Sequence, residues 1–138
     1  MKTTTISPAT ALIYIMVTMS AVDRQMSDRE LGKIGRIVQN LPPFDDFDPQ
    51  RLIYVAEECG AILQEQDGLE AVFGLIKEAL PDHLRETAYA MAVEIAIVDQ
   101  TFNPEEARLL QLFREMLRID KLIAAAIERG ARARHMPV

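Results

Sequence analysis

Displacing this 138-residue chain along itself so that residue 20 falls on residue 96 makes one pattern repeat. Residues 20–31 then align with residues 96–107. Val22 and Val98 precede Asp23 and Asp99; Met26 and Phe102 supply an apolar residue after each, Ser27 and Asn103 a helix-capping residue, and Glu30 and Glu106 a glutamate. An apolar run leads into each copy, and beyond it Ile34 and Ile37 correspond to Leu110 and Phe113. Each copy reads as a long apolar helix, a corner marked by Asp, and a capped second helix. The two corners are expected to be equivalent parts of one helical globule.

Punctuation along the rest of the chain supports an all-α class. Ser7-Pro8 places a cap and a first-turn proline before the apolar run 11–22. Ser27-Asp-Arg-Glu30 has the form of a capping box, and a second helix is predicted over 28–40, stopped by Leu41-Pro-Pro-Phe. Asp48-Pro49 opens a third helix with Leu52, Val55, Ala56, Cys59, Ile62 and Leu63 on one stripe, and Asp67-Gly68 breaks it. A fourth is predicted over 69–80. A fifth begins near Asp82, runs to Val98 and is apolar nearly all round, which marks it as a central buried helix. Asn103-Pro104 caps a sixth, and Asp120 opens a seventh that stops near Gly130. No stretch alternates with period two. A compact single-domain bundle of about seven helices is expected over 1–138, with flexible tails at 1–7 and 131–138. In it, the first and second helices and the fifth and sixth form pseudo-repeated pairs packed against the third, fourth and seventh.

Composition narrows the function classes. Hydrophobic residues make up 49% and aromatics 6%, without Trp, so the core is built from Ala, Leu, Ile, Val and seven Met, a mixture that favours helices. A net charge of −6 argues against a nucleic-acid surface, which needs clustered cations. The basic group Arg129, Arg132, Arg134 and His135 reads as cations complementing the end of a last helix. One cysteine, Cys59, allows no intrachain disulfide, and His83 and His135 stand too far apart in sequence to suggest a zinc set, so a cytoplasmic setting is expected. Lys2 followed by the run 11–22 has the look of a secretory leader, but that run is too short to span a bilayer and recurs in mid-chain, so it reads as a core helix and no integral membrane segment is expected. No Gly-rich phosphate loop, G-x-S-x-G or H-E-x-x-H motif is present, and the expectation is that the chain is not an enzyme.

The doubled pattern of apolar helix, Asp, turn, capping residue and Glu resembles the TerB-like tellurite-resistance family over about residues 11–120. The resemblance implies a compact all-helical domain with acidic inter-helix turns and a role in stress responses, including tellurite resistance. It also implies a divalent cation, Ca²⁺ or Mg²⁺, with Asp23, Glu30, Asp99 and Glu106 as the metal candidates. Arg24 and Gln100 stand where the family usually has Gly after the Asp, which implies a different turn path here.

Two readings of those acids remain open. In the structural one, Asp23 and Asp99 accept N–H groups of the turn that follows, while Glu30 and Glu106 complete capping boxes. In the other, carboxylates and turn carbonyls hold a hard cation; an EF-hand is excluded, because its twelfth position would be Ile34 or Leu110. Glu94, inside the apolar fifth helix, is expected on a narrow exposed strip, the alternative being a buried ion pair with an arginine or an ion site. Cys59 reads as a small core hydrophobe. Asp45, Asp46, Asp48, Glu57, Glu58, Glu65 and Asp67 read as solvated faces and caps. A rival role, an interaction scaffold binding an unidentified protein partner or a homodimer, calls for an exposed apolar patch fed by Phe44, Phe47, Phe73 and Met116.

Overall fold

In the computed structural model, residues 5–21, 26–97 and 104–138 are described. Among the described residues seven α-helices follow one another: α1 Pro8–Ser20, α2 Asp28–Asn40, α3 Leu52–Leu63, α4 Gly68–Ala79, α5 Arg85–Ala96, α6 Pro104–Leu117 and α7 Lys121–Arg134. No strand occurs among the described residues, and the fold is an all-α bundle.

Local devices start most of these helices where the sequence places them. The Thr10 N–H donates to Ser7 Oγ at 3.1 Å, with Pro8 at the first position of α1. At α2 the box is complete: the Glu30 N–H donates to Ser27 Oγ at 3.2 Å, and the Ser27 N–H donates to Glu30 Oε1 at 2.8 Å. Asp120 caps α7 by accepting the Leu122 N–H at 3.0 Å. The third and fifth helices differ from expectation in their opening turns, which are 3₁₀ (Pro49–Arg51 and Asp82–Leu84) before α-geometry sets in. Such tighter turns are frequent at helix entries.

The α3–α4 corner is the tightest joint. Asp67 adopts φ 58°, a left-handed conformation that Asp tolerates better than most residues, and Gly68 then lies directly against α3. A Cβ on Gly68 would fall 2.1 Å from the Ile62 carbonyl oxygen, so only glycine allows the approach. Arg118 is also left-handed, with φ 59°, and ends α6 in a Schellman arrangement: the Ile119 N–H donates to the Arg114 carbonyl at 3.0 Å and the Arg118 N–H to that of Glu115 at 3.1 Å.

Two helices share the centre. Every residue of α1 from Ala11 to Ser20 is buried, and α1 lies against α5, α3 and α4. The fifth helix, expected to be central, buries Ala88, Tyr89, Met91, Ala92, Val93, Ile95 and Ala96 and also holds α6 and α7. The predicted pairing therefore holds for α5 with α6, whereas α1 is engaged far more by α5 and α3 than by α2. The reason is that α1 has no polar side to turn outward, while α2 buries only Ile34 and Val38 and stays half in solvent.

Two further expectations are corrected. The seventh helix does not stop at Gly130 but continues to Arg134, because Ala131 is fully buried and the residues beyond it find partners on α5. The apolar patch named for the scaffold role is not there either. Phe44 is buried, and Phe47, Phe73 and Met116 pack against the core, Phe73 with its ring 4.8 Å from that of Phe113. The exposed large apolar residues include Ile53 and Tyr54 on α3 and Leu122 on α7. No helix of the described residues is long and apolar enough to cross a membrane.

Candidate functional site

The acidic corners come first. Asp23 and Asp99 lie outside the described residues, so their expected role carries no geometry here. Glu30 heads α2, and one of its carboxylate oxygens is committed to the Ser27 N–H, as a capping box requires. Glu106 heads α6 beside Glu105, where negative charge complements the helix dipole. Among the described residues, no group of three or more His, Cys, Asp or Glu could hold a metal ion. One oxygen is unusual: Ser20 Oγ, in the last residue of α1, is buried and has no hydrogen-bond partner among the described residues.

Glu94 is not on an exposed strip. Its carboxylate, 22% exposed, pairs with the Arg134 guanidinium, and the His135 ring lies with Nε2 2.7 Å from Glu94 Oε1. An ionised carboxylate only accepts, so the imidazole N–H donates to it. Burial pushes the Glu94 carboxyl upward, but hydrogen bonds from Arg134 and His135, with their charge, outweigh burial and hold it below the ordinary carboxylate value. The backbone carbonyl of the same residue accepts from Lys33 Nζ at 2.8 Å. Glu94 thus fastens α5 to both α2 and α7. The C-terminal basic group, read from sequence as dipole complement alone, supplies two of these three bonds.

A second polar knot passes through the core. The Tyr89 hydroxyl donates to Glu128 Oε2 at 2.5 Å and receives a bond from Arg114 Nη1 at 3.3 Å, while Arg114 and Glu128 pair at 3.6 Å. Burial, then the bond to Glu128, pushes the Tyr89 hydroxyl up to about 12. Three helices meet at this hydroxyl. Sequence reading missed it, and the only available signal was a tyrosine inside an otherwise aliphatic run.

Cys59 behaves as expected of a core thiol. It is fully buried beside Thr18 Oγ1 and the Tyr14 carbonyl, and burial drives its pKa up to about 12 despite the bond with Thr18. A thiol so placed is neither a nucleophile nor a ready metal ligand.

The arrangement so far is an all-helical bundle in which Glu30 and Glu106, the glutamates of the repeat, stand in the first turns of α2 and α6. The model of the family described as Tellurite resistance protein TerB matches residues 9–128, which takes in both copies of the repeat. The chain belongs to the TerB family. No curated protein and no solved structure matches it. The TerB match ends within α7, ahead of Arg134 and His135, so the fastening at Glu94 involves residues beyond the matched stretch.

Proposed function

We propose that this chain is a non-catalytic stress-response protein of the cytoplasm, linked to tellurite resistance, whose acidic corners brace its helices. The observation that carries this reading is the state of Cys59, the one side chain that would otherwise be suited to reducing or capturing an oxyanion. It is buried, and its proton is held well above neutral pH. Glu30 supports the same view, since its carboxylate serves the helix it heads. Complementation tests the proposal. Cells deprived of the chain are expected to lose tellurite tolerance and to regain it equally with the natural chain and with Cys59→Ala. Failure of the Cys59→Ala chain to restore tolerance would show thiol chemistry and overturn the reading.

A second reading is favoured by the buried Ser20 hydroxyl, which lacks a partner just before the segment carrying Asp23. A divalent cation, Ca²⁺ or Mg²⁺, is the kind of ligand that an unsatisfied buried oxygen would serve, with Asp23, Glu30, Asp99 and Glu106 proposed as its holders. Calorimetric titration of the metal-stripped chain separates the two. Saturable heat that disappears in Asp23→Asn and Asp99→Asn establishes the ion; absence of heat, with Asp99→Asn less stable by roughly 1 kcal/mol, leaves the bracing role.

A further inference from the structure

A groove of about 540 Å³ runs between α2 and α5, with Arg134 of α7 at its edge. Its walls are Ile37 and Leu41 on one side and Thr87, Ala90 and Met91 on the other, with Arg36 and Arg134 among the lining residues. It exists because α2 and α5 barely touch: α2 turns Ile34 and Val38 into the core, and the next positions round the helix, Ile37 and Leu41, face a gap. The Lys33 bond to the Glu94 carbonyl sets the start of α2 beside the end of α5. Arg36, one turn on from Lys33, therefore shares a polar end of the groove with Glu94 and Arg134.

Charge decides what this end accepts. Arg36 is exposed and its guanidinium has no ion-pair partner among the described residues, although the chain as a whole is acidic. Arg29 and Lys33 precede it on the same helix, a row of like charges that by itself disfavours the helix. The one carboxylate at this end, on Glu94, is already matched by Arg134 and His135. With two arginines and one glutamate, the side chains lining the groove carry one net positive charge. The groove is also short: from Thr87 to Glu94 a helix advances only about 10 Å, under two full turns, which suits a small molecule better than a docked helix. Its volume falls in the range of about 300–1,000 Å³ common to small-ligand sites.

We propose that this groove binds a small anionic amphiphile, an apolar body carrying one carboxylate, with the carboxylate on Arg36 and the body between Ile37, Leu41, Ala90 and Met91. The bidentate geometry of guanidinium with carboxylate gives the site its orientation. The experiment is an amide NMR titration of the full chain with decanoate, with decan-1-ol, and with an acidic peptide rich in leucine. Decanoate is expected to shift the amides of residues 36–41 and 87–94 saturably. Binding weakens by about tenfold or more for decan-1-ol and for Arg36→Gln, the loss of one charged hydrogen-bonded pair. Arg36 is exposed and stands in a row of like charges, so Arg36→Gln is expected to melt no lower than the natural chain. No saturable shift, equal binding of the alcohol, or undiminished binding by Arg36→Gln overturns the proposal. So does a response to the peptide without one to decanoate, which would assign the groove to a protein partner.

Discussion

Arg134, in the last turn of α7, clasps the carboxylate of Glu94 on α5, forty positions earlier in the chain. With His135 it turns what would be an awkward acid in an apolar helix into the anchor of the C-terminal segment. Because the paired carboxyl sits below its ordinary pKa of 4.5, its contribution is complete above that value and is lost as the pH falls through the folded-state pKa. Arg134 is 59% exposed, so solvent screening keeps the effect modest. Glu94→Gln is expected to lower stability by about 1 kcal/mol at neutral pH, with the gap closing in acid. Urea melts of both chains across that range check this, and a gap of constant size would sink it.

The buried thiol makes a kinetic prediction. Burial that pushes the Cys59 thiol up to about 12 leaves it with far less thiolate than an ordinary cysteine at the same pH. Ellman's reagent should therefore label the folded chain only at the rate at which it opens, and immediately in denaturant. Fast labelling of the folded chain would contradict both the burial and the non-catalytic reading.

Glycines at different places should respond in opposite ways to alanine. Gly68→Ala drives a methyl into the Ile62 carbonyl and is expected to cost at least about 2 kcal/mol. Gly74, exposed in the middle of α4, has nothing within 4 Å of the added carbon, and Gly74→Ala is expected to stabilise by about 0.5–1 kcal/mol. Thermal melts of the pair decide the matter; two changes of the same sign would refute the account of the α3–α4 joint.

Arg118 holds a left-handed conformation in a Schellman arrangement where glycine is the usual occupant. Arg118→Gly should relieve about 1 kcal/mol of backbone strain and raise the melting temperature. A drop would mean that the arginine side chain supplies more than its backbone loses.

What could be read from the sequence follows the range of the interactions. Ser7 with Pro8, Ser27 with Glu30, and Asp120 act on N–H groups a few residues away, so the starts of α1, α2 and α7 were legible without any tertiary information. Cys59 was placed in the core by helical spacing alone. The end of α7 was not legible, because Gly130 signals a stop that buried Ala131 and the distant Glu94 override. The partners of Glu94 and the Tyr89 knot lie on other helices, and no local pattern encodes them. Of the four acids singled out by resemblance, Glu30 is where a capping box puts it, and Asp23 and Asp99 fall outside the described residues.

The first helix has no wet side. Covered from Ala11 to Ser20 and held by α3, α4 and α5, it is a spindle on which the other helices are wound and not a segment laid over a finished surface. Cutting into α1 beyond Ala11 would strip the inner lining from three neighbours at once, so loss of the turn from Ala11 to Tyr14 should unmake the entire fold cooperatively.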